Sequence, residues 1–314
     1  MIPTWMSAEQ AWQWQISLQL RLTQVHGDAF QDFFSNVMAM AHGDDFERIR
    51  PFGSLGDKGC DGYLASAGQV FQCFGKLNDA AVNVSVLVAK IETDYAKAAT
   101  KLASIMKEWH FVHNLVDGLP IEARLKLADL GSANPQHKIG TIGPAGIEDR
   151  VFGCPEGEIV RLLGPAGTAE HTKNMRVEVV ADVIAAVMAG VDADITPNAY
   201  PKPVPFDKMT FNKIPTAWRQ MLEAASRNSG YIEDYLNEHH DPEFGSRLAC
   251  VFRNRYEDLK AQQLSSAAIM AKLYEGVVGI GTSPLERQVA AQALLAFLFE
   301  ACDIFEDDPG KVSA

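Results

Sequence analysis

From Ser7 to His42 apolar residues recur at helical spacing. Phe30, Phe33, Phe34, Val37 and Met38 fall on one stripe, while Asp28, Asp32 and Asn36 fall off it. The pattern predicts a helical region closed by Gly43-Asp44-Asp45. The period then shortens to two. Runs of β type at Phe46–Phe52, Gly62–Ala65 and Gln69–Phe74 are separated by glycines. A long helix is predicted over Ala80–Lys107, and a buried strand over Trp109–Leu115 that stops at Asp117-Gly118-Leu119-Pro120. A helix at Ile121–Leu130, a strand at Lys138–Ile142 and a short helix at Pro155–Leu163 follow. Strands alternating with helices predict an α/β unit built on a mixed sheet with flanking helices.

Beyond Gly164-Pro165-Ala166-Gly167 the pattern is helical throughout. Helices are expected at Arg176–Ala189, Thr216–Asn228, Ser229–His239, Pro242–Gln262, Ser265–Val278 and Pro284–Phe305. Between the first two lies Thr196–Pro205, with four prolines in ten residues, which reads as an extended linker or surface loop. The expected organisation is an α/β domain over 1–165, a helix and proline-rich linker over 166–205, and an all-α, partner-binding domain over 206–314.

Charge narrows the function classes. The 314 residues carry 28 Lys+Arg against 40 Asp+Glu, a formal net charge of -12. The two halves share the excess: 14 basic and 19 acidic residues over 1–165, and 14 and 21 over 166–314. Such a surface discourages bulk attraction to nucleic acid or anionic membrane, although a local basic cleft can act within an acidic protein. The apolar stretch Val179–Val191 is broken by Asp182, so no membrane span is expected, and MIPTWMSAEQ lacks the marks of a secretory signal. The expected compartment is the cytoplasm. Five cysteines without a CxxC pair read as reduced, mostly buried thiols.

Candidate chemistry concentrates in Phe52–Lys76, FGSLGDKGCDGYLASAGQVFQCFGK. A strand ending in an acidic residue, a hairpin, and a second strand with an acid or amide two residues before lysine is the pattern of metal-dependent nucleases. There carboxylates hold Mg²⁺, which polarises the scissile phosphate, and lysine meets the developing charge. Asp61 follows a tight glycine turn and Gln72 lies on the next strand. Residues 25–115 thus resemble the PD-(D/E)XK superfamily, in the restriction-endonuclease-like branch that reads Gln-x-Lys. That resemblance implies Asp61, Gln72 and Lys76 as catalytic residues, Asp61 and Asp57 as metal ligands, Mg²⁺ as cofactor if the site is active, and DNA as a ligand. Phe74 stands at the lysine position, however, and Lys76 lies two residues on, ~6.6 Å along the strand. Gln31 occupies the helical acid position, with Asp32 adjacent. The expected site is therefore degenerate, the alternative being an active Mg-dependent DNA endonuclease. Asp57-Lys58-Gly59-Cys60-Asp61-Gly62 also reads as a glycine-rich turn whose aspartates cap backbone groups.

A second resemblance rests on wording spread along the chain. GDKGCDGYL…GQVFQCFGK, KIETDYAKA (Lys90–Ala98), WHFVHN (Trp109–Asn114) with GLP, and FLFEACDIFE (Phe297–Glu306) together resemble proteins of the bacterial ABC-three-component systems. It implies an effector or adaptor in defence against phage or plasmids, with an ABC-type ATPase and a middle-component protein as partners. The C-terminal helical domain would be the docking module.

Other patterns carry less. His110 and His113 are three apart on a strand and so cannot chelate together. Glu238-His239-His240-Asp241 precedes Pro242 and reads as an interhelical turn. GPAG occurs at Gly143–Gly146 and Gly164–Gly167 without the Lys-Ser/Thr of a phosphate-binding loop.

Overall fold

The computed structural model describes residues 2–49, 59–77, 82–167, 171, 175–189, 208–279, 283–301 and 304–306. They fall into two compact units: 1–3 with 18–163, and 4–17 with 164–314. The proline-rich segment Thr196–Pro205 lies outside the described residues.

In the first unit, helices α1 (Ala8–Gln24, whose second half belongs here) and α2 (Gly27–His42) precede three short strands, β1 (Phe46–Arg48), β2 (Gly62–Leu64) and β3 (Gln69–Phe74). Helix α3 (Val84–Lys101) crosses over to β4 (Glu108–His113), and α4 (Ile121–Ala133) crosses over to β5 (Lys138–Ile142). Helices α5 (Pro144–Phe152) and α6 (Glu156–Leu163) complete the unit. The sheet order is β1-β2-β3-β4-β5. Its first two pairings are antiparallel and its last two parallel, as expected where a tight turn joins two strands and a helix joins the next pair.

Two layers of side chains hold it. The stripe predicted on α2 is the buried one, Phe30, Phe33, Phe34, Val37 and Met38, and Phe34 meets Phe71 of β3 edge-on at 5.6 Å. On the other face Leu87, Ile91 and Tyr95 of α3 and Leu127 of α4 close over Val70, Trp109 and Phe111.

Several elements depart from the periodicity. The helical region expected from Ser7 to His42 is two helices, because the chain turns at Val25-His26 and Gly27 takes φ 50°. The carbonyls of Leu22 and Val25 turn from the helix ladder to the Nδ2 of Asn114, at 3.0 and 2.7 Å. Helix α3 stops at Lys101 rather than Lys107, since Lys107 and Glu108 both donate their backbone N–H to Gly68 O and begin the strand. Pro144–Phe152 is an unpredicted helix, in which GPAG supplies Pro144 at the first turn, where its missing N–H costs nothing.

The second unit is helical: α7 (Val177–Met188), the single turn α8 (Lys208–Phe211), α9 (Thr216–Ala225), α10 (Ser229–Glu238), α11 (Phe244–Ala261), α12 (Ser266–Val278) and α13 (Leu285–Glu300). Helix α13 is buried nearly all round, through Val289 to Leu295 and on to Phe299, and α7, α9, α10 and α12 pack about it. A helix apolar on every side is a bundle's centre rather than a surface element. Lys208, fully buried, donates from Nζ to Phe299 O at 2.8 Å and so satisfies a last-turn carbonyl of α13. Among the described residues no helix is long and apolar enough to cross a membrane.

Candidate functional site

The register of the β2–β3 hairpin, Gly62 opposite Phe71, sets Asp61 one step beyond the ladder and opposite Gln72. Backbone bonds fix it there: Asp61 N donates to Phe71 O at 2.8 Å, and Asp61 O accepts from Ile49 N at 3.1 Å. The residue is 6% exposed. A buried carboxylate needs several donors, and this one has them. Its Oδ2 accepts from Gln72 Nε2 at 2.8 Å and from Cys73 N at 2.6 Å. Its Oδ1 accepts from Gln31 Nε2 at 2.9 Å, across from α2.

Gly59 closes the approach to the hairpin. Its φ is 75°, and a Cβ there would stand 2.4 Å from Asp94 O of α3. Only glycine satisfies both the left-handed turn and that contact.

These residues open onto a cavity of about 620 Å³, whose lining also includes Asp28 and Asp32 of α2, Arg48 of β1, Phe74, and Lys90 of α3. Asp32 is ion-paired with Arg48. Lys90 Nζ lies 2.7 Å from Asp94 Oδ2, a buried carboxylate one turn further along α3. Burial first, and then the Asp61 charge, push the Cys73 thiol well above its usual range, so Cys73 stays protonated and is no nucleophile at neutral pH.

The structure therefore brings Asp61 and Gln72 together and leaves Lys76 apart. Lys76 follows the end of β3, gives its backbone N–H to Asn114 Oδ1 at 2.9 Å, and turns Nζ to Leu77 O at 3.2 Å. It does not line the cavity. Among the described residues the cavity's cations are Lys90 and Arg48, neither of which the hairpin pattern indicates. Lys90 stands in KIETDYAKA, but strand periodicity cannot say that α3 delivers it to this hairpin. Phe74 stacks on Phe111 at 5.8 Å as well as facing the cavity. Asp57 lies outside the described residues.

The Mg²⁺ implied by the nuclease resemblance needs anionic oxygens with free lone pairs. Both oxygens of Asp61 already accept N–H bonds, and Gln31 and Gln72 face it as amide donors. Among the described residues no group of three His, Cys, Asp or Glu side chains is placed to hold a metal ion. The described donors, which do not include Asp57, do not fit the ion.

The remaining candidates are structural. His110 stacks on Phe71 at 5.6 Å and meets Glu108 through Nε2 at 3.0 Å. His113 is buried and accepts from Leu115 N through Nδ1 at 3.3 Å, and burial pulls its pKa down to about 4. In the second unit Asp241 closes the predicted turn by accepting from Glu243 N at 3.0 Å and pairing with Arg247.

Residues 178–306 match the family model of C-terminal domain 10 of the ABC-three component (ABC-3C) systems. This region of the chain is similar to an ABC-3C C-terminal domain. The match runs from α7 through α13 and takes in FLFEACDIFE, the last of the four motifs quoted above. Similarity to that domain supports a role in a multi-protein defence system with protein partners. The other three motifs lie before the matched residues, in the α/β unit. No curated protein and no solved structure matches the chain.

Proposed function

We propose that this ABC-3C component is an effector or adaptor whose α/β unit keeps the framework of a restriction-endonuclease-like domain without its chemistry. On this reading the C-terminal domain docks the partners, an ABC-type ATPase and a middle-component protein, in the cytoplasm. Supporting the framework is the element order: a helix, three antiparallel strands, a crossover helix and a parallel strand, with Asp61 at the hairpin and Gln72 opposite. The observation that carries the loss of chemistry is the capture of Asp61 by three N–H donors, from Gln31, Gln72 and Cys73. An acid at position 31 would leave a second anion to share a metal; glutamine locks the first one instead. The acidic balance of residues 206–314, 11 basic against 16 acidic, suits a basic protein surface better than DNA, through complementarity that sets specificity and on-rate.

Two measurements test it. The purified protein is expected to leave plasmid and linear DNA intact with Mg²⁺ or Mn²⁺ at neutral pH; metal-dependent cleavage abolished by Asp61→Ala would establish the active-endonuclease alternative. Co-expression with the products of neighbouring genes is expected to yield a complex that survives Asp61→Asn and is lost when residues 178–306 are deleted.

A further inference from the structure

Among the described residues that line the cavity, two buried polar atoms have no hydrogen-bond partner: a donor, Arg48 Nε, and an acceptor, Gln72 Oε1. Gln72 is 3% exposed and spends Nε2 on Asp61, leaving Oε1 buried with no hydrogen-bond partner among the described residues. The amide orientation follows from the neighbour: turning it over would point Oε1 at a carboxylate. A buried amide oxygen without a donor costs on the order of the desolvation of that group. Gln72 lines a cavity of about 620 Å³, and its buried Oε1 is reached by a ligand's N–H only when the side chain turns toward that cavity.

The lining says which kind of N–H. Among the described lining residues three carboxylates, Asp28, Asp32 and Asp61, stand with two cations, Arg48 and Lys90. Arg48 is taken by Asp32 and Lys90 by Asp94, so among the described lining residues Asp28 and the hydrogen-bonded Asp61 leave a net negative charge. Phe74 adds a half-buried aromatic wall. Acceptor, negative field and ring face together favour a cation that donates from a plane.

We propose that this cavity binds an alkylguanidinium group, as the side chain of a partner's arginine or as a small free guanidine, with one N–H on Gln72 Oε1 and its face on Phe74. The inference rests on the reading of Asp61 as a hydrogen-bonded anchor rather than a metal ligand. Asp28, exposed on the first turn of α2, supplies the charge at the mouth. An ammonium group has the charge without the planar fork and binds more weakly.

The test is calorimetric titration of the full chain with N-ethylguanidinium, with n-butylammonium, and with Mg²⁺ alone. N-ethylguanidinium is expected to bind saturably and more tightly than n-butylammonium. Gln72→Met is expected to weaken it by at least about tenfold, the weight of one charge-assisted hydrogen bond. Because Gln72→Met also takes a donor from Asp61, Asp28→Asn serves as a second variant, with an expected loss of about threefold. No saturable guanidinium binding, or binding unchanged in a folded variant, overturns the inference and leaves the proposed function standing. Saturable Mg²⁺ binding that Asp61→Asn removes overturns both. If N-ethylguanidinium binds as expected, an Arg-bearing peptide from the co-purified partner that competes for the cavity assigns the arginine source, and one that does not assigns the free guanidine.

Discussion

Replacing Asp61 by alanine separates an anchoring carboxylate from a catalytic one. The substitution removes the acceptor of three N–H groups. Gln31 is half-buried and can turn to water, but Gln72 Nε2 and the Cys73 N–H are left behind in the sheet. Each stranded buried donor costs roughly 1–3 kcal/mol, so Asp61→Ala should destabilise the α/β unit by about 4 kcal/mol. Asparagine is the control. With its oxygen toward Gln72 and Cys73 it keeps both buried donors, and Gln31 can present its own oxygen to the new NH₂, so Asp61→Asn should cost only about 1 kcal/mol. A carboxylate kept for chemistry behaves oppositely, since removing it commonly leaves stability unchanged or raised. The chain has two units, so a single melting curve mixes two transitions. Native-state hydrogen exchange of peptides spanning residues 62–74 reads the right one. An Asp61→Ala cost below about 1 kcal/mol, or an asparagine as damaging as the alanine, would refute the anchor.

Two further outcomes follow from side chains the fold has buried. The folded pKa of His113, about 4, lies below its unfolded value, so its neutral form belongs to the native state; the stabilisation is full above about pH 6.5 and is lost as pH falls toward 4. The loss should approach about 3 kcal/mol, and exchange in β4 measured from pH 7 to 4 should show it in the wild type and not in His113→Gln. Asn114, fully buried, gives Nδ2 to Leu22 O, Val25 O and Lys76 O and takes Lys76 N on Oδ1. Asn114→Ala should cost about 3 kcal/mol and Asn114→Asp more, because an anion would then face three carbonyls; urea denaturation ranks the two, and aspartate performing better than alanine would contradict the network.

Where local pattern alone governs an element, the sequence determined it. The stripe Phe30, Phe33, Phe34, Val37 and Met38 is the buried face of α2, and Gln69–Phe74 and Lys138–Ile142 are strands to the residue, because a periodic face has one way to be buried. The hairpin pairing of Asp61 with Gln72 was legible for the same reason: a glycine turn between two short β runs sets the register. The break between α1 and α2 was not, since the groups that draw those carbonyls away belong to Asn114, almost ninety residues later. Nor was the cavity's lysine. Lys76 has the spacing, but β3 ends before it, and Lys90 arrives on a helix that sequence order places elsewhere. The state of Asp61 was least visible of all. A carboxylate's chemistry depends on which lone pairs remain, and only the tertiary meeting of α2 with the hairpin decided that Gln31 and Gln72 would occupy them.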